Sequence, residues 1–293
     1  MHMNTYKLSG HETFQCRHFW LKKGHDFLLE KNSFKANDAV VKLGVGKNMI
    51  ASIQHWMRVF GLINNGVEVE LTDFSYKIFS NDGYDPFLED VNSLYLLHYQ
   101  LLKNDIPSLY GIVFNEFRRV RISRDFTAGQ ISDFMRRKLD KDNVQFSENT
   151  LKSDVKVFLR MYHASAKKGM KSIEDDFASV LLGLEMFEPV EGVFIEGEQV
   201  FRFQYEIKKA LDYRIFLFAI LDTFEGSESI SVEEIEKMIG DKFLCSKEGV
   251  ELKLQELQES KYLVYKDDAG RREVQMKRKV DKWDVLNKYY GRV

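Results

Sequence analysis

The sequence predicts a mainly α-helical chain with small β-hairpins, an α+β protein in which winged helix-turn-helix modules are joined by a helical middle region. Three observations predict it. Residues 33–79 pair a short helix with a longer one across Gly44-Val45-Gly46, then place apolar runs on either side of Asn64-Asn65-Gly66. The same order recurs over residues 232–276. Only three prolines interrupt 293 residues, which leaves helices free to run.

The chain opens with Ser9-Gly10-His11-Glu12-Thr13-Phe14, followed by a helix through Trp20 and Leu21 and another over residues 27–29. The first module then has a helix around residues 35–43 and a longer one from about 47 to 60. Met49, Ile50, Ile53, Trp56, Met57 and Phe60 recur at spacings of three and four and form one apolar stripe. Lys47, Asn48, Ser52, Gln54, His55 and Arg58 lie opposite, and such side chains bond base edges or phosphates. A helix of this kind, followed by a β-ribbon, is how helix-turn-helix modules dock in the major groove. The same pattern also describes an amphipathic helix with a solvated polar face. Asn65-Gly66 supplies the positive-φ pair of a tight hairpin turn. Glu68 and Glu70 share one face of that ribbon and repel phosphate, so the long helix is the better groove candidate.

Asn81-Asp82-Gly83 and Asp85-Pro86 mark a boundary. Residues 88–103 form the next helix, with His98 expected as a core-edge imidazole. A basic stretch follows: Arg118, Arg119, Arg121 and Arg124, then Arg136, Arg137 and Lys138. Thr127 caps a helix over residues 128–138, and the cluster Ser147-Glu148-Asn149-Thr150 starts another that runs to 162. Residues 193–203 read as a hairpin turning at Glu196-Gly197-Glu198, and 214–224 as an apolar helix. Helices over 232–239 and 246–260, with a hairpin of 262–265 and 273–276, repeat the first module. Its long helix is acidic (Glu248, Glu251, Glu256, Glu259) and suits protein docking better than a groove, although Lys277, Arg278 and Lys279 follow the ribbon. The expected divisions are 1–82, 83–171 and 172–293.

Composition bounds the function. A 44% hydrophobic content fits a compact core. Cys16 and Cys245 lie too far apart in sequence to read as a disulfide framework, and the simple inference is a reducing cytoplasm. The N-terminus is polar, and the longest apolar run, residues 215–221, is far below the ~20 residues of a membrane span. The net charge of −2 conceals segregation: +3 over 1–72, −4 over 73–114, +7 over 115–171, −13 over 172–260 and +5 over 261–293. Nucleic-acid binding depends on local basic surface, so the near-neutral total does not exclude it. The acidic block either pairs with the basic one or binds a basic partner.

Catalytic signatures are sparse. A phosphate loop at Gly44–Lys47 would need glycine where Val41 stands, and Ser or Thr where Asn48 stands. His11, Cys16, His18 and His25 are close in sequence but lack a paired zinc motif. What remains is His11 beside Glu12, able to supply acid–base chemistry, with Arg17 and Lys22 near for a phosphate. The competing reading has Glu12 in a local cap or ion pair, while Phe14 and Trp20 pin the N-terminal arm to the core.

These same residues resemble a bacterial family. The shared features are Ser-Gly-His-Glu-Thr-Phe at 9–14, Arg17, Trp20-Leu21-Lys22-Lys23-Gly24, and Leu43-Gly44-Val45-Gly46-Lys47-Asn48-Met49 followed by Ser52-Ile53 and Trp56. Asp85-Pro86-Phe87-Leu88-Glu89 and Asp154-Val155, with Phe158-Leu159-Arg160 and Tyr162, extend the likeness. The family, once known only as a domain of unknown function, is similar to SspB of single-stranded DNA phosphorothioate modification and defence systems. That resemblance implies a DNA-nicking role beside an ATPase, a sulfur-transfer enzyme and a cysteine desulfurase. It does not itself assign catalytic positions.

The expectation is therefore a duplex-DNA-binding protein that nicks one strand, with Lys47, Asn48, Ser52, His55 and Arg58 at the groove. Arg17, Lys22, Arg118, Arg119, Arg136 and Arg137 would hold phosphates, and His11 and Glu12 would serve hydrolysis. Mg²⁺ is expected if the protein is a nuclease, on ligands the sequence does not single out. The alternatives are a non-catalytic adaptor that recruits sulfur-transfer enzymes, or a transcriptional regulator.

Overall fold

The computed structural model describes residues 6–104, 106, 108–164, 179–268, 270–277 and 280–292. Arg278, Lys279 and the expected division at 171/172 lie outside them. The chain is helix-rich with two three-stranded antiparallel sheets, an α+β fold that is mainly helical. It divides into two compact units, Met1–Asp90 with Gln100–Phe203, and Val91–Tyr99 with Gln204–Val293.

The first unit begins with α1 (Trp20–Leu29), α2 (Ala39–Leu43), α3 (Lys47–Val59) and α4 (Asp73–Phe79). One helix, α1, spans the region where two short ones were expected: no proline separates Leu21 from Phe27, and Gly24 between them is used in packing. Its Gly24 faces α3: a Cβ there would lie 2.3 Å from Met57 Sδ, so glycine sets the close approach of the two helices. On α3, Ile50, Ile53, Trp56 and Met57 are buried as the stripe predicts, and Phe60 beyond its end is buried too. Thr72 caps α4 by accepting from the Ser75 N–H, and its hydroxyl donates to the Gly61 carbonyl.

The ribbon expected at residues 62–71 is instead a pinned loop. Leu62 and Ile63 are buried, but Val67 is 95% exposed, so the second run has no apolar face to lay down. A single bridge, Ile63 to Leu71, and the Asn64 N–H donating to the Glu70 carbonyl hold it.

Helix α5 (Val91–Lys103) starts later than expected. Leu88 takes a positive φ of 56°, and the Asp85 carboxylate accepts from the Glu89 and Asp90 N–H groups. The first unit continues with α6 (Ser108–Ile112), a π-helical turn (Val113–Phe117), β1 (Asp125–Phe126), α7 (Ala128–Lys141), α8 (Glu148–Tyr162), β2 (Phe187–Ile195) and β3 (Glu198–Phe203). The strands are ordered β1-β3-β2. Thr127 and Gln130 form a reciprocal cap on α7. Phe126 stacks on Phe203 at 4.3 Å between ring centres, inside an aromatic core with Phe158, Phe187 and Phe201.

The second unit comprises Val91–Tyr99 of α5, α9 (Tyr213–Thr223), β4 (Ser229–Ser231), α10 (Val232–Ile235) running into a π-helical turn (Glu236–Gly240), α11 (Lys247–Glu259), β5 (Leu263–Asp268), β6 (Arg271–Met276) and α12 (Lys282–Tyr289). Its sheet is ordered β4-β6-β5. Ser231 with Glu234 caps α10, and Ser246 caps α11. His98 is fully buried and its Nε2–H donates to the Lys242 carbonyl at 2.7 Å, so the imidazole expected at the core edge lies wholly inside.

Candidate nucleic-acid interface

The most constrained segment is the loop of residues 9–14. Ser9, Gly10, Glu12 and Thr13 all take positive φ, a combination that persists only when surrounding contacts over-determine it. The contacts are there. The Ser9 N–H donates to both Asp154 carboxylate oxygens, at 3.1 and 3.0 Å. His11 Nδ1 accepts from the Thr13 N–H, which places the ring proton on Nε2, where it is donated to Asp154 Oδ1 at 2.8 Å. Trp56 Nε1 donates to the Phe14 carbonyl, and Arg160 donates to that of Thr13.

This geometry bears on three of the expectations. His11 is 3% exposed with both ring nitrogens engaged, so it anchors the loop and does not face a reacting phosphate. Glu12 is exposed, whereas its neighbour His11 is buried. Ser52 is fully buried, and His55 lies under the loop with a Cβ at Gly10 only 2.5 Å from its Nδ1, so neither belongs to an open groove-reading face. Burial first, then His11 and Arg58, push the His55 imidazole down to about 3, and among the described residues its Nε2 has no hydrogen-bond partner.

The expected cations differ in their surroundings. Lys22 bonds Asp26 at 2.6 Å. Arg136 is held by both oxygens of Glu148, at 2.7 and 2.9 Å, and by Asp133 at 2.6 Å, which raises its already high pKa. These two are neutralised within the chain. The Arg17 guanidinium lies over the Trp20 ring at 5.3 Å. Lys47 and Asn48 are exposed at the start of α3, Arg118 is half-buried, and Arg119 and Arg137 are exposed.

Arg58 has a setting the sequence did not indicate. It lines a cavity of about 250 Å³ with Lys7, Lys103, Asn65, Asn104 and Ile106. At ~30 Å³ per water, that is roughly eight waters' worth of space, ample for a phosphodiester. Among the described lining residues, three cations meet two amides, a set that favours an anion. The Asn104 amide is oriented by donating to the Val59 carbonyl at 2.8 Å. Lys7, Lys103 and the asparagines come from segments with no basic cluster of their own, so no local signal singles them out. Asp154 entered the sequence reading only as part of a shared motif; its place among the buried positions Leu151, Val155 and Phe158 of α8 is the signal that marks it.

Among the described residues, no three His, Cys, Asp or Glu side chains converge on a metal position. Mg²⁺ commonly takes one or two carboxylates and completes its shell with water and substrate phosphate.

The family described as "protein of unknown function (DUF4007)" matches residues 8–290. The chain belongs to that family. Two solved structures are similar to it: a magnesium ion-bound SspB crystal structure, at 25% identity and TM-score 0.82, and an SspB crystal structure, at 25% identity and TM-score 0.81. Each likeness covers 98% of this chain and 88% of the other. The resemblance read from the motifs at 9–24 and 43–56 is borne out: this is an SspB-like protein. No curated protein matches it. Among the described residues no helix is long and apolar enough to cross a membrane.

Proposed function

We propose that this DUF4007 protein is the DNA-binding component of a phosphorothioate DNA modification and defence system, and that it nicks one strand of duplex DNA. The observation that carries the reading is the meeting of Lys7, Arg58 and Lys103 at one cavity. Such a site fits a backbone phosphate, the sequence-independent term that dominates DNA affinity. Lys47 and Asn48 at the start of α3, with Arg17, Arg118, Arg119 and Arg137, would extend the contact. The β4-β6-β5 order behind α10 and α11 supports a winged-helix reading of the second unit, and the α2–α3 pair a helix-turn-helix reading of the first. The divisions 1–82, 83–171 and 172–293 are then an arm with the DNA-reading helices, a basic region and an acidic region for protein partners.

Glu12 is the residue assigned to hydrolysis. It is exposed on a loop fixed by Asp154, and rigid support is what a reacting group needs. One structural relative is magnesium-bound. Glu12 would hold Mg²⁺, which would supply charge neutralisation for phosphodiester hydrolysis. Family resemblance supplies the proposed partners: an ATPase, a sulfur-transfer enzyme and a cysteine desulfurase, all in the cytoplasm.

A second reading, the non-catalytic adaptor, is favoured by the enclosure of His11. Supercoiled plasmid incubated with and without Mg²⁺ separates the two. Nicked circles that need Mg²⁺ and are lost in Glu12→Gln support the nickase; plasmid that stays supercoiled despite tight binding supports the adaptor.

A further inference from the structure

Between the π-helical turn and β1 the chain reads Arg118-Arg119-Val120-Arg121-Ile122-Ser123-Arg124. Val120 is 68% exposed, and Ile122 is fully exposed at 107%. Scattered apolar surface residues are ordinary. This pair differs in three respects.

First, the loop that presents them is fixed. The Arg118 and Val120 N–H groups donate back to Val113 and Glu116 carbonyls, and the Phe203 N–H donates to the Arg124 carbonyl. Arg121 spans the loop, with its guanidinium over Phe117 at 5.0 Å and Nη2 donating to the Asp125 carbonyl at 2.6 Å. Phe117 and Phe126, which flank the loop, are buried. Second, both residues are β-branched and stiff at χ1, so little rotamer freedom is lost when they are buried by a partner. Third, arginines stand at 118, 119, 121 and 124 around them, and no carboxylate occurs from Arg118 to Arg124. A partner must therefore be anionic outside and apolar within.

We infer that Val120 and Ile122 form an apolar wedge that enters a base step of duplex DNA, while the neighbouring arginines hold the phosphates on either side. Stacked bases beneath a phosphate rail have that chemistry, and apolar side chains inserted at a step unstack it and kink the duplex. The inference rests on the DNA-binding reading above and adds to it a means of opening the strand. A wedge pays less to enter a step that is already unstacked, so the protein prefers a duplex whose stacking is interrupted.

The test measures affinity for an intact duplex and for the same duplex with a central two-base bulge, together with the fluorescence of 2-aminopurine placed along the intact one. Wild type should bind the bulged duplex roughly tenfold more tightly and raise the 2-aminopurine signal, since the unstacking cost it avoids appears directly as affinity. The Val120→Ser/Ile122→Ser variant, checked to melt with wild type, should bring the ratio near one and silence the signal. Wild-type binding with equal affinities and a silent probe would overturn the wedge and leave DNA binding standing. Absence of binding to either duplex would remove both readings. Binding to phosphatidylserine vesicles that depends on Val120 and Ile122, without the DNA effects, would assign the loop to a lipid surface and overturn the inference.

Discussion

His11 and Asp154, 143 positions apart in the chain, share a buried 2.8 Å hydrogen bond that ties the N-terminal loop to α8. The same carboxylate also receives the Ser9 N–H. One acidic side chain thus fixes both the backbone and the imidazole of a loop with four left-handed residues.

Asp154→Ala should cost about 1–3 kcal/mol, because it leaves the buried His11 Nε2–H and the Ser9 N–H without an acceptor. Asp154→Asn, which keeps a carbonyl oxygen, should cost less. Urea unfolding of the three proteins checks this, and amide hydrogen exchange should show faster opening of residues 9–14 in the alanine variant. Equal stability of all three would show that the bond does not hold the loop.

Gly10 should not tolerate a side chain. Its φ is +95°, and an added Cβ would lie 2.5 Å from His55 Nδ1. Gly10→Ala is expected to destabilise by about 1–3 kcal/mol through backbone strain and overpacking. His55→Ala removes the clash but not the strain, so the double variant should be more stable than the sum of the two single effects predicts. Strict additivity would place the ring elsewhere.

The buried histidines set an acid sensitivity. His55 and His98 both have imidazoles held down to about 3, chiefly by burial. Below pH 6.5 the unfolded chain takes up protons that the folded chain refuses, so stability falls as pH falls and is fully present above 6.5. Each histidine contributes a slope of up to about 1.4 kcal/mol per pH unit. Denaturation between pH 6.5 and 5, above the range of the carboxylates, isolates this effect. Because His55 Nε2 has no partner among the described residues, His55→Phe should fold and should flatten the slope for the first unit. An unchanged slope would show that His55 is accessible to protons.

The helices were legible because their apolar spacing and caps are local. The α3 stripe, the Thr127 cap and the hairpin turning at Glu196-Gly197 all appear where the pattern puts them. Ser52 and His55 misled because periodicity reports which residues are polar but not what packs over them: Ser52 is fully buried, and Gly10 packs against the His55 ring. The ribbon at 62–71 failed because a turn signal does not supply an apolar face. Lys7, Lys103 and Asn104 were invisible since their significance lies in segments that meet only after folding, and the likeness to SspB was readable because its motifs are contiguous.

The cavity lined by Lys7, Arg58 and Lys103 is expected to receive a DNA phosphate. The direct measurement is duplex affinity as a function of salt for wild type, Arg58→Gln, Lys103→Gln and Arg136→Gln. Removing one cation that neutralises a phosphate should lower the magnitude of the log–log slope by about 0.9. Arg58→Gln and Lys103→Gln should each show that decrease, and Arg136→Gln, already held by Glu148 and Asp133, should keep the wild-type slope. Wild-type slopes for both Arg58→Gln and Lys103→Gln would contradict the claim.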